Sequence, residues 1–306
     1  MYGANWLVDG ASSIAKKYRL SNVVIGMTIV ALGTSAPELV VNVVASFKNT
    51  ADVAIGNILG SNISNIFLIL GISAIIIPIK VSDNTYWKDV PFAFLGALVV
   101  GVVANDYLLD DEKISMIFRS DGIILLLFFL IFLIYVFGNS NASGKVTKFE
   151  SSAKEYSLWL SVLITVSGII ALILGGHWTV EGAVKIATHL GISEAVISLT
   201  LVALGTSLPE LATCMAAAFK KNSDIIIGNV LGSNIFNVFF VLGTSAVIKP
   251  LPFNTQLNFD IIVGILAIIL LWLILMISGM KTFNRNAGIA FLIFYFAYII
   301  FLFYTG

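Results

Sequence analysis

Two glutamates stand inside long apolar runs, and both have the same neighbours: GTSAPE at residues 33–38 and GTSLPE at 205–210. An ionisable side chain at membrane depth is costly, and it is kept where it forms a pair or serves an ion pathway. In each motif a proline follows the glycine by four residues. Pro37 cannot donate to the Gly33 carbonyl, nor Pro209 to that of Gly205, so each helix must open there. Freed carbonyls inside a membrane are expensive unless they line a cavity or bind something. Thr34, Ser35, Thr206 and Ser207 add hydroxyls at the breaks. A second motif recurs as GSNISN at 60–65 and GSNIFN at 232–237. Ser61 and Asn65 share a helix face, as do Ser233 and Asn237. Gly56, Gly60, Gly228 and Gly232 permit close helix approach.

These are hard oxygen donors around two carboxylates. Ca²⁺ takes six to eight such ligands, whereas softer metals call for Cys or His. Two carboxylates neutralise one Ca²⁺, and the same oxygens suit Na⁺. One site serving two ions in turn is what an antiporter requires. The histidines are only His177 and His189. His189 should lie at a membrane boundary, and His177 reads as a buried, satisfied imidazole before it reads as a pH-sensitive gate. The single cysteine, Cys214, reads as a small buried hydrophobe and allows no internal disulfide.

The elements that hold these residues follow from composition. The 306 residues are 58% hydrophobic and 11% charged, with mean hydropathy +1.00. That excludes an ordinary soluble enzyme and a disordered chain, and leaves the lipid bilayer as solvent. Net charge is zero and no basic stripe exists, so nucleic acid is not a partner. No cleavable leader is evident.

The motif pairs share one offset of 172, which also relates Trp6 to Trp178, Asp9 to Glu181 and Pro78 to Pro250. About half of the aligned positions between 5 and 80 are identical. Hydropathy gives five spans per half: roughly 1–17, 21–47, 53–79, 88–104 and 120–137, then 157–189, 193–219, 225–249, 257–278 and 286–304. The expectation is an all-α integral membrane protein with ten transmembrane helices. Residues 1–137 form the first repeat, 138–156 a polar linker and 157–306 the second repeat. An odd number of spans turns the second half upside down, the inverted-repeat plan of secondary transporters. Basic loop residues divide twelve against five, which places the linker in the cytoplasm and both termini outside. The first span is short, and its mate suggests that the natural chain starts upstream. Asp52, Asp121 and Asp224 read as helix N-caps. Asp106, Asp110, Asp111 and Glu112 read as a solvated loop.

The paired GTS-x-PE and GSN-xx-N motifs resemble the alpha-repeats of the sodium/calcium exchanger family, within the calcium:cation antiporter superfamily. The resemblance runs from Trp6 onward and is closest to prokaryotic members without a large regulatory loop. It implies a Na⁺/Ca²⁺ antiporter of the cell membrane with no cofactor. Glu38 and Glu210 would be the ligands shared by both ions. Thr34 and Thr206 would add carbonyl and hydroxyl oxygens, and Ala31 and Ala203 backbone carbonyls to flanking sodium sites. Ser61 and Ser233 would contact those outer sites, Ser35 and Ser207 would line the cavity, and Asn65 and Asn237 would complete the middle. Spans one and six would slide as the gate.

Several relatives, including potassium-dependent ones, carry Asp where this chain has Asn237. Two formal charges instead of three imply no K⁺ requirement. Three Na⁺ per Ca²⁺ would make the cycle electrogenic. Protons would compete at the glutamates, and a monomer is expected. The alternatives are a Ca²⁺/H⁺ antiporter of the same superfamily, which resembles a GNxxE pattern, and a cation channel. No nucleophile–base arrangement marks an enzyme.

Overall fold

The computed structural model describes residues 1–109, 114–139, 155–189, 203–277 and 282–305. The principal helices are α1 (Tyr2–Tyr18), α2 (Asn22–Thr34), α3 (Ala36–Lys48), α4 (Ala51–Ile76), α5 (Thr85–Val103) and α6 (Arg119–Asn139). Then follow α7 (Leu158–His189), the single turn α8 (Ala203–Thr206), α9 (Leu208–Phe219), α10 (Ser223–Ile248), α11 (Asn258–Ile277) and α12 (Arg285–Thr305). Among the described residues, seven helices are long and apolar enough to cross a membrane, or eight if α2 and α3 count as one bent span. The chain is an all-helical, multi-pass membrane protein. Two of the ten expected spans have less to show: α1 has 17 residues and α9 has 12. Residues 190–202, where the seventh span should begin, lie outside the described residues, as does most of the linker, 140–154.

Helices α4 and α10 carry the GSN motifs and form the centre. Their most apolar stretches are 72% and 94% buried. Helices α6, α7 and α12 form the outer wall and turn Ile134, Leu163 and Ile293 outward, as a lipid-facing surface requires. Helix α10 meets α2 at contact distance, because Gly228 and Gly232 present no side chain to Val23 and Met27. Gly56 and Gly60 have no described atom within 4 Å of where a side chain would begin. The residues that correspond to Val23 and Met27, Ala195 and Leu199, fall outside the described residues.

Contacts between the halves come in pairs related by the offset of 172. Asn62 Nδ2 donates to the Asn234 carbonyl at 3.3 Å, and Asn234 Nδ2 returns a bond to the Asn62 carbonyl at 3.2 Å. Among the described residues, four two-residue strands, which the hydropathy pattern does not reveal, also join the halves. β1 (Ile79–Lys80) pairs antiparallel with β4 (Thr282–Phe283), and β2 (Met116–Ile117) with β3 (Leu251–Pro252). Not every contact obeys the symmetry. Lys220 Nζ reaches Asp9 at 2.7 Å and the Asn5 carbonyl at 3.0 Å, tying α1 to the end of α9. Of the mates Lys48 and Glu181, Glu181 pairs with Lys185 instead, at 2.8 Å.

The expected acidic N-caps require correction. The cap of α4 is Thr50 and that of α10 is Asn222, whose side chain accepts from Ile225 N–H. Asp52 and Asp224 sit within the first turn, where a negative charge still faces the positive end of the helix dipole. Asp121 also lies in a first turn, and reaches back to the Phe118 N–H at 2.7 Å. In the acidic loop, Asp106 accepts from Met116 N–H at 2.9 Å. Asp110, Asp111 and Glu112 lie outside the described residues.

Two further carboxylates are buried near the starts of spanning helices. Tyr135 Oη donates to Asp89 at 2.8 Å, and Tyr298 Oη to Asp260 at 2.6 Å. Removing a donor from a buried carboxylate leaves its desolvation uncompensated, at about 1–3 kcal/mol. Tyr298→Phe should therefore lower the thermal unfolding temperature in detergent by several degrees. Tyr304→Phe, at a side chain 88% exposed, should not change it.

Candidate cation site

The proline breaks set the site. Helix α2 ends at Thr34, α3 starts at Ala36, and the two are bent by 47° across Ser35. Pro37 sits in the first turn of α3, where its missing N–H costs nothing. The Ala31 carbonyl accepts from Ser35 N–H at 2.9 Å and from Thr34 Oγ1 at 3.3 Å. In the second half, Ser207 separates α8 from α9 in the same way, again with proline in the first turn. Each break puts its glutamate in the first turn of the following helix. Unpaired backbone N–H groups and the helix dipole there favour a carboxylate.

Glu38 is fully buried and Glu210 is 1% exposed. Hydroxyls from both halves reach them. Ser35 Oγ donates across to Glu210 Oε1 at 3.0 Å, and Ser61 Oγ to Glu38 Oε1 at 3.4 Å. Ser207 Oγ donates across to Ser61 Oγ at 3.3 Å. Thr34 stands beside Glu210 and Thr206 beside Glu38, so each threonine serves the other half's carboxylate. The two carboxylates are close enough to feel each other's charge.

The asparagines of the GSN motifs bond to one another across the halves. Asn65 Nδ2 donates to Asn234 Oδ1 at 2.9 Å, and Asn237 Nδ2 to Asn62 Oδ1 at 3.1 Å. The helix widens to a π-turn at Asn65–Ile69 and again at Phe236–Leu242, a feature common at functional sites. Among the described residues, the buried oxygens without a hydrogen-bond partner include five from these motifs: Glu38 Oε2, Glu210 Oε2, Ser233 Oγ, Asn65 Oδ1 and Asn237 Oδ1; Thr213 Oγ1 is another. Buried polar atoms are almost always paired, so these oxygens call for a partner that arrives from outside. Among the described residues no cluster of three His, Cys, Asp or Glu exists that could hold a metal. The donor set is two carboxylates amid neutral oxygens, which fits a weakly held, hard cation.

The structure thus gathers Thr34, Ser35, Glu38, Ser61, Asn65, Thr206, Ser207, Glu210, Ser233 and Asn237 in the interior between the halves. Ala31 lies at the break with its carbonyl already accepting. Ala203 opens the turn α8, and its side chain is outside the described residues. Asn57, Asn62, Asn229 and Asn234 were missed as members of the cluster. Their signal was the repeated IGN at 55–57 and 227–229 and the asparagine that ends each GSN.

His177 also departs from expectation. Its side chain is 71% exposed, with Nε2 4.0 Å from the Glu181 carboxylate. It is not buried, and its carboxylate partner is Glu181. The side chain of His189 lies outside the described residues. Cys214 is buried as expected, but it receives the Asn229 amide at 3.4 Å.

A bundle of spanning helices around a buried, carboxylate-bearing oxygen cluster defines a membrane transporter of small cations. The family model described as sodium/calcium exchanger protein matches residues 1–138 and 160–304, and the chain belongs to that family. The sodium/calcium exchanger MaX1 of Methanosarcina acetivorans is 33% identical over 332 residues, covering 99% of this chain and 95% of that protein. The putative antiporter CaxA of Alkalimonas amylolytica is 38% identical over 256 residues, covering 82% of this chain and 77% of its own. The solved structure of the sodium-calcium exchanger NCX_Mj superposes with a TM-score of 0.83 at 35% identity, covering 98% and 93% of the two chains. The chain is therefore a cation/Ca²⁺ antiporter of the membrane.

Proposed function

We propose that the protein exchanges Na⁺ for Ca²⁺ by alternating access, with both ions taking turns at Glu38 and Glu210. The observation that carries this reading is the set of five buried acceptor oxygens without donors, two of them carboxylate. Around them, Thr34, Thr206, Ser35, Ser207, Ser61 and the carbonyls of Ala31 and Ala203 would complete the shells of Ca²⁺ and of flanking Na⁺ ions. The relatives named as exchangers support the choice of ions. Residues 1–137 and 157–306 act as two inverted five-helix repeats joined by the cytoplasmic linker 138–156, with both termini outside and one chain sufficing. The cross-half hydrogen bonds that share the offset of 172 support this arrangement. Helices α1 and α7 pack along each other through Gly3, Gly10 and Gly168, and slide together as the gate.

Asn237 keeps the site at two formal charges, so transport needs no K⁺. With three Na⁺ per Ca²⁺, each cycle moves one net charge. Uptake of ⁴⁵Ca²⁺ into proteoliposomes under an outward Na⁺ gradient tests the exchange. Uptake should require internal Na⁺, ignore K⁺ and respond to a clamped membrane potential. Uptake driven by a proton gradient without Na⁺ would reassign the protein to Ca²⁺/H⁺ exchange. Fast uptake with no counter-ion would make it a channel.

A further inference from the structure

We propose that Asn42, Asn57, Asn62, Cys214, Asn229 and Asn234 are positioning residues that fix the direction of every hydroxyl and amide they reach at the cation site. They turn protons away from the centre and lone pairs toward it. The inference rests on the proposed function only in taking that centre to bind a cation.

An amide or a hydroxyl can offer either a proton or a lone pair, and a cation accepts only the lone pair. What decides is the far end of the hydrogen-bond chain. A backbone carbonyl has no proton to give, so whatever meets it must donate. Asn42 Nδ2 donates to the Ala54 carbonyl at 2.9 Å. Asn42 Oδ1 is thereby left to accept from Asn57 Nδ2 at 2.8 Å. Asn57 Oδ1 in turn accepts from Thr206 Oγ1 at 3.2 Å. Glu38 is another acceptor within reach of the one proton of Thr206. Once a cation sits against that carboxylate, the chain through Asn57 still holds the proton.

The other half repeats the chain with one exchange. The single proton of Thr34 Oγ1 has two acceptors besides Glu210, Asn229 Oδ1 at 3.1 Å and the Ala31 carbonyl at 3.3 Å, and Asn229 Nδ2 donates to Cys214 Sγ at 3.4 Å. Cys214 Sγ faces the Ile226 carbonyl at 4.0 Å. Cys214 is the repeat mate of Asn42, and Ile226 that of Ala54. The direction is the same, held by a weaker donor and acceptor.

Two more chains start from the carbonyls of Asn234 and Asn62. Asn62 Nδ2 meets the Asn234 carbonyl, so Asn62 Oδ1 accepts from Asn237 Nδ2. Asn234 Nδ2 meets the Asn62 carbonyl, so Asn234 Oδ1 accepts from Asn65 Nδ2. Asn65 Oδ1 and Asn237 Oδ1 are then the atoms left without partners. Reversing any one amide would set N–H against N–H and carbonyl against carbonyl. A network that only filled the core would end in donors as readily as in acceptors. All four chains end with acceptors inward.

Cys214 offers the mildest test. Cys214→Ala removes the acceptor that orients Asn229, whereas Cys214→Ser keeps both an acceptor and a donor at nearly the same size. Ca²⁺ binding is measured by calorimetry on the purified full chain, with thermal unfolding in parallel. Cys214→Ala should weaken Ca²⁺ binding about tenfold, the factor that corresponds to about 1.4 kcal/mol, and Cys214→Ser should restore it. Asn57→Leu should weaken it at least as much through Thr206. The inference is overturned if Cys214→Ala binds like wild type, if Ser restores no more than Ala, or if the loss is confined to protein already unfolded. Wild-type protein that binds no Ca²⁺ would instead overturn the proposed function, and this inference with it.

Discussion

Glu38→Gln and Glu210→Gln each abolish Na⁺-driven Ca²⁺ uptake in proteoliposomes, while the variants remain folded and resist heat at least as well as wild type. The two halves of this result have one cause. Glutamine keeps the size of glutamate and most of its hydrogen bonding, so Ser61 can still donate to position 38 and Ser35 to position 210. What is lost is half of the negative charge that faces a divalent ion. Two unit charges about 4 Å apart interact by about 4 kcal/mol at an effective dielectric of about 20, and a divalent ion doubles this, so binding should fall by about three orders of magnitude or more. Without the ion, the same charge is a liability. Both carboxylates are buried and close enough to repel, and neither meets a cationic side chain among its partners. Removing a charge that is buried without a counter-charge relieves desolvation, so unfolding in ion-free detergent should move to higher temperature. Asp89→Asn is the control: Asp89 is also a buried carboxylate, but it is held by Tyr135 away from the cluster, and its variant should keep transport. Uptake by a Glu38→Gln, Glu210→Gln double variant would remove the centre of the functional reading.

The glutamates were legible in the sequence because a charge in an apolar run stands out, and because the repeat shows each one twice. The helix breaks were legible for a similar reason, since Gly and Pro four residues apart leave a backbone carbonyl without its donor. Asn57 and Asn229 were not. Each looks like one more polar residue on a helix, and its role depends on what Thr206 or Thr34, some 150 to 200 residues away in the chain, presents to it. Hydrogen-bond direction is a property of the whole chain of partners and has no signature at one position. His177 was misjudged because a hydropathy window cannot tell which side of a helix faces inward. Helix α7 is an outer helix, and His177 points away from the bundle. The acidic caps were misjudged by two residues at Asp52 and Asp224 and by three at Asp121: an Asp that begins an apolar run can sit at the cap or in the first turn, and the dipole favours both.

Gly232→Val should disable the protein by a route that touches no ligand. A side chain begun at Gly232 would stand 2.5 Å from Met27 Cα, 2.8 Å from the Met27 carbonyl and 2.9 Å from Ala31 Cβ. Two of those three atoms are backbone, so no rotamer change relieves the clash and α2 must move off α10. Overpacking of this kind costs about 1–3 kcal/mol or more. The displacement has a direction. Helix α2 carries Ala31 and Thr34, and Thr34 is held to Asn229, one turn before Gly232 on α10. Separating the helices therefore stretches the bond that points the Thr34 proton away from Glu210. Ca²⁺ uptake should be lost and the unfolding temperature should fall together, in contrast to the glutamate variants, where transport is lost and heat resistance is kept. Gly232→Ala should show both effects in smaller measure. Gly138→Ala, where a new side chain meets nothing within 4 Å, should show neither. If Gly232→Val transports normally, the close approach of α2 to α10 is not what holds Thr34 in place.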